Sequence, residues 1–189
     1  MILSNVDLRE AIADKRLIIK PVRPFQNFST SSIDLRVGHE FWQWSKQATG
    51  VTLQINCTEA NIPDLTQYAE RVKPDGKGFV QVPKEGFLLA PTLERIELPP
   101  SSKLAARVEG RSTLARLGLG VHITAPTIHA GFSGPIVLEF VNHGPHVLML
   151  EPGKTAVCQI IVEQLSSEPA GELDTVFQDQ TGAFGRDQP

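Results

Sequence analysis

Fourteen prolines and fifteen glycines cut this chain of 189 residues into many short apolar runs. Proline fixes φ and has no amide hydrogen to donate, and glycine supplies the tight turns. Punctuation this dense predicts an all-β domain with many turns and only a few short helices. The length, with 41% hydrophobic residues, suits a single domain with its own core. Net charge is only −3, so a binding surface for a nucleic acid polymer is not expected, and any phosphate site must be local. No apolar run approaches the ~20 residues that cross a bilayer, so no membrane association is expected. The opening MILSNVDLRE lacks the charged-then-apolar order of a signal peptide. Cys57 and Cys158 are far apart and read as thiols in a reducing cytoplasm rather than as a disulfide framework.

Along the chain, Ser4 is placed to cap a short helix, with Asp7 three residues on completing a capping box. Leu8, Ala11 and Ile12 form the apolar stripe of that helix, which ends near Arg16. Residues 17–20 read as a strand stopped by Pro21. Residues 32–38 alternate, with Ile33, Leu35 and Val37 on one face and Asp34 and Arg36 on the other, as in a half-buried strand. Phe41, Trp42 and Trp44 mark either a core edge or an interface. Residues 45–78 read as a surface excursion with a short helix at 65–72. Strands are expected at 79–82, 86–90, 92–98, 104–108, 147–150 and 155–164, with Pro91 separating the third from the second and a hairpin-like turn at 151–154 joining the last two.

Residues 107–142 carry most of the functional signal. Gly110-Arg111-Ser112-Thr113 places a cation and two hydroxyls ahead of a helix-compatible segment at 114–117. Free amides at a helix start, together with Arg111, make a seat for phosphate. A turn of small residues at 126–134 follows, then a strand at 135–142 interrupted by one carboxylate, Glu139. Side chains alternate along a strand, so Ile136, Leu138 and Phe140 share one face and Val137, Glu139 and Val141 the other. A carboxylate between valines loses hydration, which suits a group that both takes and gives a proton near neutral pH. Two readings of Glu139 stand side by side: that acid–base group, or a strand-end glutamate facing solvent or paired with an arginine across a subunit boundary.

Zinc-dependent cytidine deamination needs a His/Cys-x-Glu element and a Pro-Cys-x-x-Cys element. Neither is present, so no zinc site is expected. Of the five histidines only His143 and His146 are closely spaced, and the Asn-His-Gly-Pro-His sequence around them reads as a surface turn.

GRSTLARLG, GFSGPIVLEFVN and PGKTAVCQI, in that order and spacing, resemble the dCTP deaminase family, the deaminating branch of the trimeric dUTPase-like superfamily. SSIDLRVG near the N-terminus and QDQTGAFG in the tail resemble it too, so the likeness spans nearly the whole chain. It implies a distorted jelly-roll or dUTPase-like β-barrel over residues 1–165, a tail at 166–189 that closes over the active site, and a homotrimer with sites between subunits. It implies hydrolytic conversion of dCTP to dUTP and ammonia in pyrimidine deoxynucleotide metabolism, with dTTP as a feedback inhibitor.

The resemblance assigns Glu139 as general base and acid. Ser112 and Arg116 hold the attacking water, and Ala125 orients it through its carbonyl. Arg111 and the segment of Ser112, Thr113, Leu114, Ala115 and Arg116 grip the triphosphate, with Mg²⁺ bridging its oxygens and no zinc. Val137 and Leu138 fall with Glu139 on the nucleotide-binding strand, Val137 lining the deoxyribose pocket. Gln159 and Gln180 contact the triphosphate. His129 stands where many family members carry Asp; an imidazole can bond a 3′-hydroxyl but cannot act as that carboxylate, so deamination without efficient dUTP hydrolysis is expected. The tail lacks the usual Tyr and Lys, with Phe177 and Val176 near those places, which implies fewer triphosphate contacts. The rivals are a bifunctional enzyme giving dUMP and pyrophosphate or a plain dUTPase, and, from another class, a non-catalytic nucleotide-binding trimer. For the tail itself, Phe177, Phe184, Gln178 and Gln180 suggest closure, against simple fraying.

Overall fold

The computed structural model describes residues 1–22, 28–45, 54–56, 58, 66–124, 126–171, 178–180 and 183–184. Helix α1 (Asn5–Ala13) begins at the expected cap: Ser4 Oγ accepts the Asp7 amide, and the Asp7 carboxylate accepts the Ser4 amide at 2.9 Å. Leu8 and Ala11 are its buried residues. Then follow β1 (Ile18–Lys20), β2 (Ile33–Arg36), β3 (Phe41–Trp44), a 3-10 turn (Thr66–Tyr68), β4 (Ala69–Val72), β5 (Val80–Val82) and β6 (Phe87–Glu97). The second half holds a 3-10 turn (Pro100–Ser102), β7 (Leu104–Gly110), the one-turn helix α2 (Ser112–Ala115), β8 (Leu119–Gly120), β9 (Ser133–Asn142), β10 (Leu148–Leu150) and β11 (Ala156–Gln164). The expected all-β class with a few short helices is what the chain adopts.

All the strand pairings are antiparallel. The largest sheet runs β4-β3-β6-β9-β8, with β1 also on β6; β2-β11-β7 form a second sheet and β10-β5 a third. One core serves all three. It joins Phe41, Leu88, Leu138 and Phe140 of the first sheet to Leu35, Leu104, Ile160 and Val162 of the second and Val80, Val82 and Leu150 of the third. Phe41 and Phe140 are fully buried. Each such side chain contributes ~1.5–3 kcal/mol by leaving water.

Four expectations change. The helix at 65–72 is a 3-10 turn followed by β4, because residues 69–72 pair with β3 and that ladder overrides local preference (Leu65 lies outside the described residues). Pro91 does not divide a strand: β6 runs through it, and the register shift between Pro91 and Arg95 absorbs the irregularity. Across that stretch the Ile136 amide donates to Thr92 Oγ1 at 3.0 Å, a side chain standing in for a ladder carbonyl. The turn at 151–154 is not a hairpin, since β10 pairs with β5 while β11 pairs with β2 and β7. The helix expected at 114–117 starts two residues earlier, at Ser112.

The His143–His146 turn is exposed at both histidines and is organised by buried Asn142. Asn142 Nδ2 donates to Val82 O and His146 O, and its Oδ1 accepts the Gly144 amide. Gly144 is required there, because a Cβ would lie 2.1 Å from the Leu117 carbonyl oxygen. Cys158 is a buried free thiol; burial above all, then the nearby Glu94 and Asp34 charges, push its pKa well above the ordinary thiol range. Cys57 lies outside the described residues. No helix among the described residues is long and apolar enough to cross a membrane.

Candidate active site

Strand β9 delivers Glu139 to the open face of the large sheet. Leu138 and Phe140 point into the core at 1% and 0% exposure, while Val137, Glu139 and Val141 are half-buried on the other side. The two faces therefore differ more than their composition implied, and Glu139 belongs to the accessible one. Register fixes its neighbours: Glu139 stands opposite Leu89 of β6, Leu89 opposite Trp42 of β3, and Trp42 opposite Arg71 of β4. Directly paired residues share a face, so these four form one row across the sheet.

A cavity of about 560 Å³ opens over this face. Its walls include Glu139, Val137, His129, His122, Thr124 and Gln180, with Trp44, Phe132 and Phe184 as aromatic sides. Leu138 also borders it, although its side chain belongs to the core. One Glu139 carboxylate oxygen accepts the Ile123 amide at 3.1 Å, which fixes the group at the end of the 121–124 segment. His122 Nδ1 is buried without a hydrogen-bond partner among the described residues.

The tail meets this cavity. Gln178 bonds the Ser133 amide and the Gly131 carbonyl, and the Asp179 amide donates to Ser133 O at 2.7 Å. Arg95 forms an ion pair with Asp179. Gln180 is 4% exposed; its Nε2 donates to Pro135 O at 2.6 Å while its Oε1 has no partner among the described residues. Phe184 packs edge-on to Trp42 at 5.6 Å and tilted against Trp44 at 5.7 Å. So Phe41 of β3 fills the core, while half-buried Trp42 and the more exposed Trp44 receive the tail. Phe177 and Val176 lie outside the described residues.

The residues singled out in the sequence separate into two groups. Glu139, Val137, Leu138, His129 and Gln180 share the cavity. None of Arg111, Ser112, Thr113, Leu114, Ala115 and Arg116 lines it, and Ser112, Thr113, Ala115 and Arg116 are exposed on α2. Within α2 the Ala115 amide is the first to find a helical acceptor, Arg111 O, and the amides of Ser112, Thr113 and Leu114 have no backbone acceptor among the described residues. Arg111 and Gln159 come together on the β2-β11-β7 sheet instead: Arg111 Nη2 is 3.4 Å from Asp34 Oδ2, and Gln159 Oε1 accepts the Ser32 hydroxyl at 2.6 Å. Ala125 lies outside the described residues. Phe132 and the Ile123 amide escaped sequence reading, since only register and a turn's path bring them to Glu139.

An antiparallel β protein with a carboxylate in a largely apolar cavity, and with Arg111 and Gln159 gathered on a separate sheet, has the makings of an enzyme acting on a small organic substrate. A family model described as dCTP deaminase-like matches residues 2–165. The chain is 36% identical over 182 residues to "dCTP deaminase, dUMP-forming" of Persephonella marina, covering 96% of this chain and 94% of that protein. It is 36% identical over 188 residues to "dCTP deaminase" of Halorubrum lacusprofundi, covering 96% and 88%. Among solved structures, 2′-deoxycytidine 5′-triphosphate deaminase from Agrobacterium tumefaciens shares the fold at a TM-score of 0.62 and 18% identity, over 85% of this chain and 47% of that one. The chain belongs to the dCTP deaminase-like family.

Proposed function

We propose that this protein hydrolyses dCTP to dUTP and ammonia, with Glu139 as the group that moves protons. The observation that carries this reading is a carboxylate held by the Ile123 amide on the open face of β9, facing a cavity large enough for a nucleoside. Glu139 takes a proton from water, whose oxygen adds to C4 of the cytosine as the proton passes to N3. The C4 carbon then carries hydroxyl and amino groups. Glu139 moves the hydroxyl proton to the amino nitrogen, the C–N bond breaks, and ammonia leaves with a carbonyl formed at C4.

The separation of α2 from the cavity supports a site completed between copies of the chain, in the manner of a homotrimer. Ser112 and Arg116 of one subunit would then hold the water against Glu139 of the next, with the Ala125 carbonyl orienting it. Val137, on the cavity wall, would exclude a 2′-hydroxyl by bulk. Arg111, Gln159, Gln180 and the leading amides of α2 would bind the triphosphate. Mg²⁺ entering with the triphosphate would offset part of its negative charge, while Arg111, Gln159 and Gln180 hold the phosphates. Inhibition by dTTP, which shares the deoxyribose and triphosphate, and a cytoplasmic location complete the reading.

A second reading has its own support. The Persephonella marina relative bears a dUMP-forming name, whereas His129 on the cavity wall argues against hydrolysis of the phosphate chain. Incubation with dCTP and with dUTP separately, resolving all products, decides between them. dUTP and ammonia from dCTP alone are expected, and Glu139→Gln should keep dCTP binding while losing ammonia release by about 10²–10⁴-fold. Retained turnover in that variant would reject the proton-transfer role, and dUMP from native protein would establish the second reading.

A further inference from the structure

Arg111 and Gln159 are not free on their sheet. Asp34 of β2 and Glu109 of β7 stand on either side of Gln159 of β11 in one cross-strand row, so all three project from the same face. Arg111, just past the end of β7, is tied at two points: Nη2 to Asp34 Oδ2 at 3.4 Å, and Nη1 to the Ala156 carbonyl at 3.2 Å. A guanidinium has five N–H groups in a rigid fork, so these ties set its plane and leave further donors available. Gln159 is held from the other end. Ser32, only 2% exposed, donates its hydroxyl to Gln159 Oε1 at 2.6 Å. With its acceptor end engaged, the amide presents its NH₂, which has no partner among the described residues.

We propose that Asp34 and Ser32 are positioning residues that aim the Arg111 guanidinium and the Gln159 amide at the triphosphate of the substrate. This rests on the reading above that Arg111 and Gln159 bind that group. The physical effect is preorganisation. Long side chains lose rotamer freedom when they bind an anion, and fixing them beforehand removes that loss from the binding step. Asp34 is itself an anion beside an anion's seat and reduces the local positive charge. If orientation outweighs repulsion, neutralising Asp34 weakens triphosphate binding; if repulsion dominates, it strengthens it.

The test is steady-state ammonia release from dCTP together with thermal unfolding of each variant. Asp34→Asn should raise KM about ten-fold, the size of one lost charge-assisted hydrogen bond, at kcat within about two-fold of native. The same change made in an Arg111→Ala background should add nothing further, a coupling that a merely structural role would not produce. Ser32→Ala should raise KM several-fold in the native background and leave it unchanged in Gln159→Ala. If Asp34→Asn does not fold, the Ser32 and Gln159 set carries the test alone. An unchanged or lowered KM, or equal effects with and without the partner side chain, overturns the proposal. Native KM in Arg111→Ala and Gln159→Ala would instead reject their assignment to the phosphates, and native protein that releases no ammonia from dCTP would reject the proposed function itself.

Discussion

Trp42 and Glu139 stand on opposite sides of Leu89, each paired directly with it, so the tryptophan that receives the tail and the carboxylate of the cavity occupy one face of one sheet. That row links tail docking to the cavity through register rather than through a flexible loop. Arg71, next in the row, holds its guanidinium over the Trp42 ring at 5.6 Å, an arrangement that braces the platform from its outer edge.

Phe184→Ala should therefore loosen the tail without disturbing the core. Its ring meets both Trp42 and Trp44, and each such aromatic pair contributes ~0.5–1.5 kcal/mol beyond its buried area. The expected result is KM for dCTP raised about ten-fold with Tm nearly unchanged. Tryptophan emission should shift to the red as water reaches Trp42 and Trp44. Unchanged emission and KM would place the tail's contribution elsewhere.

His129 borders the cavity and is exposed, so replacing it should not compromise folding. His129→Asp puts a carboxylate where the imidazole stands. If His129 is what withholds activity toward the phosphate chain, the variant should release dUMP from dUTP at a rate measurably above native, read by chromatography of the products. Equal dUMP in both proteins would remove His129 from that role.

Cys158 reports on the core. Burial raises the pKa of its thiol, so the folded protein keeps the proton more tightly than the unfolded chain. The sign follows from linkage: this contribution to stability is complete below the unfolded thiol's pKa, near 9, and is lost as pH rises above it toward the folded value. In a Cys57→Ser background, a thiol reagent at neutral pH should leave native protein unmodified and label Cys158 only after denaturant is added. Denaturant midpoints should fall as pH rises beyond about 9. Rapid labelling of native protein would show that the β11 region opens more readily than its burial implies.

Much was legible beforehand where the cause is local. The capping box at Ser4 and Asp7 and the alternation of Ile33, Leu35 and Val37 depend on residues a few positions apart, and both formed as read. Residues 69–72 carry a helical pattern in the sequence yet form a strand, because that strand exists by pairing with the distant β3. Pro91 ends a strand by local rules alone, whereas the register shift that accommodates it within β6 lies in the relation between β6 and β9.

The same boundary divides the site. The amino-acid sequence determined that Glu139 would lie on a strand among apolar neighbours, that Arg111 would precede a short helix, and that the chain would build many short strands. Periodicity and turn chemistry act over single-residue spacings, and those spacings are written in the chain. Only the tertiary structure decided that Glu139 faces a cavity walled by Trp44, Phe132 and Phe184, and that Arg111 lies with Asp34 and Gln159 on another sheet. Those arrangements depend on which strands pair and in what register, and pairing between distant segments is settled by burial of the shared core.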